Sequence, residues 1–183
     1  MRDLSARVAI RNANLLESPA QTLVNTVNCV GVMGKGIALA FKRAYPAMFE
    51  DYAKLCASGR VRPGQPYLWR PEQSQLGFTD LMDPTYPDQH WILNFPAKRH
   101  WRSRSRMSDI VVGLDWLEAH CEEWRIESLA VPALGCQNGG LRWADVGPLL
   151  YERLGRLGIP VELYAPLEAS PEESTEEFLR RLV

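Results

Sequence analysis

Short runs of β-branched and other apolar residues alternate along the chain with longer segments in which apolar residues recur at helical spacing. Such alternation is typical of the α/β class. Runs that predict β-strands occupy residues 8–10, 22–27, 67–69, 91–95, 128–134 and 161–164. The pattern by itself predicts an α/β fold and no finer architecture.

Helical segments fill the spaces between these runs. Helical spacing begins at Gly36, and Pro46 is expected to end or kink that helix and to begin another. Ser108 is placed to cap a third helix, and the apolar stripe of residues 146–154 predicts a fourth. The acidic-then-basic order of residues 167–183 predicts a helical tail that either packs on the surface or binds a partner.

Length and composition fit one domain. The chain has 183 residues, of which 46% are hydrophobic, enough for a single globular core. We assign residues 1–166 to this domain and residues 167–183 to the tail. Residues 71–88 are rich in Pro, Gln and Asp and predict a loop or excursion.

The overall charge excludes a globally basic nucleic-acid coat and an acidic disordered chain. Lys and Arg number 21 against 22 Asp and Glu, which gives a formal net charge of -1. Any contact with nucleic acid must therefore come from a local basic patch.

Targeting and cysteine patterns point to the cytoplasm. No apolar run approaches the roughly 18 residues of a membrane span, and the N-terminal segment is charged where a signal peptide is apolar. We expect a cytoplasmic protein without membrane contact. The four cysteines form no CxxC pair and have no His cluster nearby, so neither a disulfide framework nor a structural metal is expected.

Two glycine-rich loops carry the main functional signal. In TLVNTVNCVGVMGKGIALAFK an apolar strand leads through Gly31, Gly34 and Gly36 directly into a helix. Glycines let the backbone approach a ligand, and a helix N-terminus offers free N–H groups to a phosphate. The GxxGxG spacing matches neither the dinucleotide fingerprint nor the P-loop, so ATP-hydrolysing P-loop chemistry is disfavoured. A glycine turn needed only for packing is the alternative.

The second loop repeats the design. In SLAVPALGCQNGGLRWADVG an apolar strand again leads through glycines into a helix. If neighbouring parallel strands carry both loops, their C-terminal ends define one crevice, where open α/β sheets bind ligands. Two phosphate-binding loops facing one crevice suit a diphosphate flanked by two sugars.

These two loops resemble those of the macrodomains, which bind ADP-ribose in a cleft between them. The match extends over residues 12–164 and is strongest to the DNA ADP-ribosyl glycohydrolase antitoxins, then to the terminal ADP-ribose protein glycohydrolases. The resemblance implies a three-layer α/β/α fold with a mixed, mostly parallel central sheet. It also implies ADP-ribose as ligand or product and no cofactor or metal.

The resemblance also implies roles for particular residues. Asn28 corresponds to an Asn that contacts the distal ribose, although an Asn at a strand end also commonly closes a turn. Asn14 stands where many macrodomains place an Asp that binds adenine, and Tyr164 where an aromatic ring stacks on adenine or merely packs at a strand end. The full set of implied ADP-ribose contacts is Asn14, Leu15, Asn28, Gly31, Val32, Met33, Gly34, Lys35, Gly36, Ile37, Pro132, Ala133, Leu134, Gly135, Cys136, Gln137, Asn138, Gly139, Gly140, Leu141 and Tyr164.

Lys98 is the candidate catalytic residue. The segment NFPAKRHW is similar to the stretch that carries the catalytic lysine of the antitoxin glycohydrolases. A neutral Lys98, its pKa lowered by burial or by Arg99, can attack the anomeric carbon or its opened aldehyde form. A protonated Lys98 can instead stabilise the departing base or position the ligand. In the protein-directed enzymes the second loop contains an Asp where this chain has Gly139, so the DNA-directed pattern fits better.

A dense basic run surrounds Lys98 and suggests nucleic acid. Cationic side chains there can contact phosphates, and an indole offers a stacking face to an unpaired base. A solvated basic face is the alternative. The residues expected to bind DNA are Arg99, His100, Trp101, Arg102, Arg104 and Arg106.

The leading hypothesis is an enzyme that removes ADP-ribose from a base, thymine by preference, in single-stranded DNA. Such an enzyme would be the antitoxin to a DarT-type DNA ADP-ribosyltransferase, a possible partner. Two other hypotheses are a hydrolase of ADP-ribose esters on protein Glu or Asp and a reader that binds ADP-ribose without turnover. Cleavage of ADP-ribose 1''-phosphate is a weaker fourth.

Overall fold

The computed structural model describes residues 7–71 and 90–181. Within them the strands are β1 (Val8–Arg11), β2 (Thr22–Val27), β3 (Tyr67–Trp69), β4 (Trp91–Pro96), β5 (Leu129–Val131) and β6 (Val161–Tyr164). They form a mixed sheet in the order β1-β6-β5-β2-β4-β3. Neighbouring strands pair in parallel except β3, which is antiparallel to β4. This confirms the predicted mixed, mostly parallel sheet.

Helices cover both faces of the sheet. They are α1 (Gly36–Ala44), α2 (Pro46–Ala57), α3 (Met107–His120), α4 (Trp143–Gly155) and α5 (Glu176–Arg180). Successive strand residues point to opposite faces. Leu23 belongs to one core cluster with Phe41 of α1, whereas Val24 belongs to the other with Ile110 of α3 and Leu150 of α4. The predicted three-layer α/β/α architecture is therefore confirmed.

Two predicted boundaries differ from the structure. The residue that caps α3 is Arg106, in extended conformation, and Ser108 lies inside the first turn, so the predicted Ser108 cap is wrong. The predicted strand 128–134 is shorter, because β5 pairs with β6 only through Val131. Pro132 follows, and proline has no N–H to extend a ladder.

The tail packs on the domain over its described part. Leu179 of α5 is fully buried. The Trp143 indole of α4 donates to the Glu173 carbonyl, and the Tyr151 hydroxyl donates to the Glu176 carboxylate. Of the two interpretations of the tail, the packed one matches these contacts, while a domain boundary at residue 166 stays a prediction.

The predicted loop 71–88 lies, apart from Pro71, outside the described residues. Within the two described stretches, no helix combines the length and the apolarity that crossing a membrane requires.

Candidate functional site

A cleft opens where the two glycine loops leave the sheet. β2 and β5 are parallel neighbours, so their C-terminal ends meet at one edge, as the crevice hypothesis requires. The cleft has a volume of about 1020 Å³ and lies between the first loop, residues 28–36, and the second loop, residues 132–142. Segments after β1, β4 and β6 complete its walls.

Asn28 closes the first loop from within. Its side-chain oxygen accepts from the backbone N–H groups of Val30 and Val32 and from the Tyr52 hydroxyl, at 3.0, 3.3 and 3.0 Å. Its amide nitrogen donates to the Val32 carbonyl at 2.6 Å. Gly31 takes a φ of 80°, which a residue with a side chain rarely adopts. The turn-closing role of Asn28 is thus directly visible, and one amide hydrogen has no partner among the described residues.

The first loop leads directly into α1, and the N-terminus of α1 lines the cleft. The first backbone bond of this region of α1 runs from Leu39 N to Lys35 O. The N–H groups of Gly36, Ile37 and Ala38 therefore lack an acceptor within the helix, and all three residues line the cleft. Free N–H groups at the positive end of a helix favour an anion.

The second loop is held from outside. Gly135 and Gly140 take φ values of 72° and 76°. The backbone N–H of Ser105 donates to the Gly139 carbonyl at 2.9 Å, and the Arg104 guanidinium donates to the Gly140 carbonyl at 2.8 Å. Both partners belong to the segment after β4, so this segment shapes the loop.

Gln137 is a strained point in the second loop. Its φ of 51° lies in the left-handed region, which costs a residue with a side chain about 1 kcal/mol. Its side-chain amide donates to the Glu168 carboxylate of the tail at 3.0 Å. The tail therefore also contacts the loop that lines the cleft.

Lys98 bridges the second loop and the segment after β4. Its Nζ donates to the carbonyls of Trp101 and Asn138, each at 2.9 Å. Burial lowers the pKa of the Lys98 amine, because desolvation penalises the charged form. Arg99, the other predicted cause, instead pairs with Asp109 at 3.1 Å. A neutral amine in this position donates two N–H groups to two carbonyls and keeps a free lone pair.

The charge of the cleft is positive. Lys35, Lys98, Arg102 and Arg104 line it, and the described lining residues include no carboxylate. Such a wall attracts an anionic ligand. Among the described residues that line the cleft, Lys98 is the one whose side-chain pKa is lowered.

The structure divides the basic run. Arg99 is held by Asp109, and Arg106 precedes α3; neither lines the cleft, nor does His100. Trp101 lines it and is 44% exposed. The guanidinium of Arg102 lies 4.4 Å from the Trp101 ring, and the His100 ring stacks at 5.6 Å. Trp101, Arg102 and Arg104 are therefore the members brought to the cleft.

Comparison with known proteins decides the family. Residues 24–150 match the family model described as Macro domain. The chain belongs to the Macro domain family. It is 45% identical over 156 residues to a DNA ADP-ribosyl glycohydrolase of Thermus aquaticus, which covers 85% of the chain and 40% of the relative. It is 42% identical to the DNA ADP-ribosyl glycohydrolase of Mycobacterium tuberculosis, over 92% of the chain and 45% of the relative.

Solved macrodomains have the same fold. The macrodomain of Mycobacterium tuberculosis DarG superposes with a TM-score of 0.76 at 41% identity, over 87% of this chain and 97% of that one. Thermosipho africanus DarTG in complex with ADP-ribose gives 0.85 at 38% identity, over 97% of this chain and 46% of that one. This macrodomain spans less than half the length of these two curated relatives.

Most residues predicted to contact ADP-ribose line the cleft of this macrodomain. The exceptions are Gly31, Met33, Leu134 and Leu141. Met33 and Leu134 are 2% and 1% exposed and belong to the core, so they support the loops from below. The individual ligand contacts stay predictions. The predicted residues at the cleft are Asn14, Leu15, Asn28, Val32, Gly34, Lys35, Gly36, Ile37, Lys98, Pro132, Ala133, Gly135, Cys136, Gln137, Asn138, Gly139, Gly140 and Tyr164.

Asn14 and Tyr164 already have protein partners. The Asn14 side-chain oxygen accepts from Leu16 N at 3.2 Å, and its nitrogen donates to Glu17 at 3.0 Å. Tyr164 is 7% exposed, and its hydroxyl donates to Glu162 at 2.9 Å. Packing at the strand end thus accounts for Tyr164 in this structure, and adenine stacking stays a prediction.

Sequence reasoning missed several cleft residues. Ser103 and Ser105 alternate with the arginines of the basic run, and that alternation was a usable signal. Leu167 is 78% exposed and lines the cleft from the start of the tail. No local pattern singles out Leu167, because its position depends on where β6 ends beside the loops.

Proposed function

We propose that this macrodomain hydrolyses the bond between ADP-ribose and a DNA base, with thymine in single-stranded DNA as the substrate. The observation that carries the proposal is Lys98, whose Nζ is fixed at 2.9 Å from two carbonyls beside the exposed Trp101. This amine of lowered pKa lines a cleft of about 1020 Å³.

The charge of the cleft supports a nucleic-acid substrate. The diphosphate of ADP-ribose carries about two negative charges, whereas Lys35, Arg102 and Arg104 line the cleft in addition to Lys98. Arg102 and Arg104 lie on the segment that carries Lys98, so their charge is available to neighbouring DNA phosphates. Trp101 offers a stacking face for a base that has left the stack. Esters on acidic side chains would not require this concentration of positive charge.

Two roles for Lys98 follow from its geometry. The two carbonyls occupy two N–H groups of a neutral amine and direct its lone pair toward the remaining tetrahedral position. In one role this lone pair attacks the anomeric carbon, so that a C–N bond to Lys98 forms as the glycosidic bond to thymine breaks and the base leaves with a proton; water then releases ADP-ribose from Lys98. On the opened aldehyde form, after the base has left, the lone pair would add to the carbonyl carbon and lose water, and hydrolysis of the resulting Schiff base would free Lys98. A protonated Lys98 would instead stabilise the departing base. The lowered pKa favours the first role, because it raises the neutral fraction.

The relatives support the same substrate and add a partner. Two of them are named DNA ADP-ribosyl glycohydrolase, and a third, from Thermosipho africanus, is named as a fusion with a DNA ADP-ribosyl transferase. A DarT-type transferase is therefore the proposed cognate toxin, and this macrodomain would act as its antitoxin. Such a role belongs in the cytoplasm, where the DNA is.

The test uses a single-stranded oligonucleotide that carries ADP-ribose on thymine. The wild type should release ADP-ribose. Lys98→Ala removes the attacking nucleophile and should lower the rate of release by about 1000-fold. Lys54→Ala, an exposed lysine on α2 away from the cleft, is the matched control and should keep full activity. Release is followed by gel and mass spectrometry.

Two outcomes would overturn the proposal. Unchanged release by Lys98→Ala would remove Lys98 from the mechanism. No release by the wild type, with ADP-ribose binding intact in calorimetry, would leave a reader or a hydrolase of another linkage. The same protein is then assayed on peptides carrying ADP-ribose on Glu, which separates these two.

A further inference from the structure

A turn outside the cleft packs against the start of α3. It comprises residues 62–65, and its Gly64 N–H donates to the Pro96 carbonyl at the end of β4, at 3.3 Å. A Cβ placed on Gly64 would lie 2.9 Å from a methyl carbon of Val112 and 3.3 Å from the Asp109 carbonyl oxygen. The turn is therefore fixed between the end of β4 and the first two turns of α3.

The side chain of Asp109 holds Arg99 at the same place. Nε and Nη2 of Arg99 donate to the two Asp109 carboxylate oxygens at 3.2 and 3.1 Å. Nη1 of Arg99 has no partner among the described residues, and the Arg99 side chain is 52% exposed. A guanidinium that is fixed along one edge loses little conformational entropy when its free edge binds a phosphate.

Two unpaired cations lie near this ion pair. Arg62 belongs to the turn that packs against Asp109, and Arg106 precedes α3, three residues before Asp109. Both are exposed, and neither side chain has a hydrogen-bond or ion-pair partner within residues 7–71 and 90–181. Arg62, Arg99 and Arg106 form what we call the outer basic patch. Its net charge is positive, because Asp109 neutralises only one of the three.

The outer basic patch lies beside the catalytic candidate but outside the cleft. Lys98 lines the cleft, whereas Arg99, the next residue, does not, and neither do Arg62 and Arg106. A base that reacts at Lys98 must leave its stack and enter the cleft, so the neighbouring phosphates of its strand stay outside. Val112 is exposed next to the turn and offers an apolar surface to a sugar or an unstacked base.

We propose that the outer basic patch binds backbone phosphates of the single-stranded DNA that flanks the modified thymine. The inference rests on the proposed function and deepens it, because it assigns contacts to the unmodified part of the substrate. It gives Arg99 and Arg106, which do not line the cleft, a role separate from ADP-ribose binding. It also adds Arg62, which lies outside the basic run.

The first test compares two substrates that differ only in the flanking strand. One is a short single-stranded oligonucleotide with ADP-ribose on a central thymine, and the other is ADP-ribosylated thymidine. The double variant Arg62→Glu/Arg106→Glu should raise KM for the oligonucleotide about 30-fold, because two attractive contacts become repulsive. The kcat/KM for ADP-ribosylated thymidine should stay within about twofold of wild type, since neither residue lines the cleft. Arg99 is left unchanged, because its loss would leave the buried Asp109 unpaired.

A second double variant controls for the change of net charge. Arg43→Glu/Arg125→Glu makes the same change in charge at two exposed arginines that do not line the cleft. It should act on both substrates within about twofold of wild type. Thermal unfolding of both double variants should match wild type, because all four arginines are exposed.

The second test measures the salt dependence of KM. In single strands the logarithm of the binding constant falls with that of the salt concentration by about 0.7 per phosphate contact. Loss of two contacts in Arg62→Glu/Arg106→Glu should therefore flatten the slope for the oligonucleotide by about 1.4. An unchanged slope would overturn the phosphate contacts.

The remaining outcomes separate this inference from the proposed function. An oligonucleotide KM equal in wild type and Arg62→Glu/Arg106→Glu would overturn the inference alone, provided that the wild type releases ADP-ribose. Equal losses on both substrates would also overturn it, because they would place the effect in the cleft. Release from neither substrate by the wild type would overturn the proposed function and this inference with it.

Discussion

The two glycine loops leave neighbouring parallel strands, yet they keep their shapes by different means. The first loop is closed by the side chain of Asn28, which bonds to Val30 and Val32 a few residues further on. The second loop is held by Arg104, which lies 36 residues before its partner Gly140. The bonds of the first loop are mostly local, with Tyr52 adding one to Asn28. The second loop combines its own backbone bonds, such as Leu141 N to Gly135 O at 3.0 Å, with bonds from a distant segment.

This difference matters because the distant segment carries Lys98. Lys98 and Arg104 both donate to carbonyls of the second loop. The catalytic candidate and the second loop are thus built as one unit. The first loop forms the other side of the cleft.

The largest expected effect follows from a variant that disrupts the first loop. Asn28→Ala leaves the N–H groups of Val30 and Val32 without their acceptor in a half-buried place, and should lower the free energy of unfolding by about 3 kcal/mol. Urea unfolding followed by tryptophan fluorescence measures it. Asn12→Ala, an exposed asparagine, is the control. A loss below about 1 kcal/mol would mean that the loop does not depend on Asn28.

The next effect breaks the second loop from outside. A Cβ on Gly139 would overlap the Ser105 hydroxyl and lie 3.2 Å from the Ser105 Cβ. Gly139→Ala should therefore cost about 2 kcal/mol of unfolding free energy by overpacking. The effect should appear in ADP-ribose affinity too, because the loop must move.

A second-site variant makes this prediction specific. The Ser105 hydroxyl is buried without a hydrogen-bond partner among the described residues, so Ser105→Ala alone should be close to neutral. Combined with Gly139→Ala it should restore most of the lost stability, as measured by urea unfolding. Strictly additive effects would show that these residues do not meet.

The smallest expected effect is a difference in alkylation rate between Cys29 of the first loop and Cys136 of the second. Burial raises the pKa of Cys29 to about 11 and that of Cys136 to about 12. At pH 8 the thiolate fraction of Cys29 is therefore about tenfold larger, and iodoacetamide should modify Cys29 about tenfold faster than Cys136. Peptide mass spectrometry gives both rates. Modification of either at the rate seen in urea would contradict the raised pKa values and indicate an activated thiol.

Features that depend on residues close together in the sequence could be predicted from it. Pro46 separates two helices because proline suits the first turn and ends the one before it. The strand β2 and the glycines after it also follow from local pattern. The predicted Ser108 cap is wrong because capping depends on where the backbone becomes helical, and Arg106 is the extended residue that precedes α3.

Contacts between distant segments were not open to prediction. The basic run suggested six DNA contacts, but Asp109 takes Arg99 and the Gly140 carbonyl takes one Arg104 N–H. Nothing in the spacing of these residues fixes which partner each will meet. The placement of Asn138 against Gly36 is of the same kind, because it requires both loops to be folded.

The sequence by itself determined the alternation of strands and helices, the two glycine loops and the likeness to the macrodomains, because each rests on periodicity or on a contiguous motif. Only the tertiary structure decided which cations face the cleft, how the second loop is held and what Lys98 touches. Most of these depend on groups brought together from residues far apart in the chain, such as Lys98 with the Asn138 carbonyl and Arg104 with the Gly140 carbonyl, and long-range packing rather than local preference sets them.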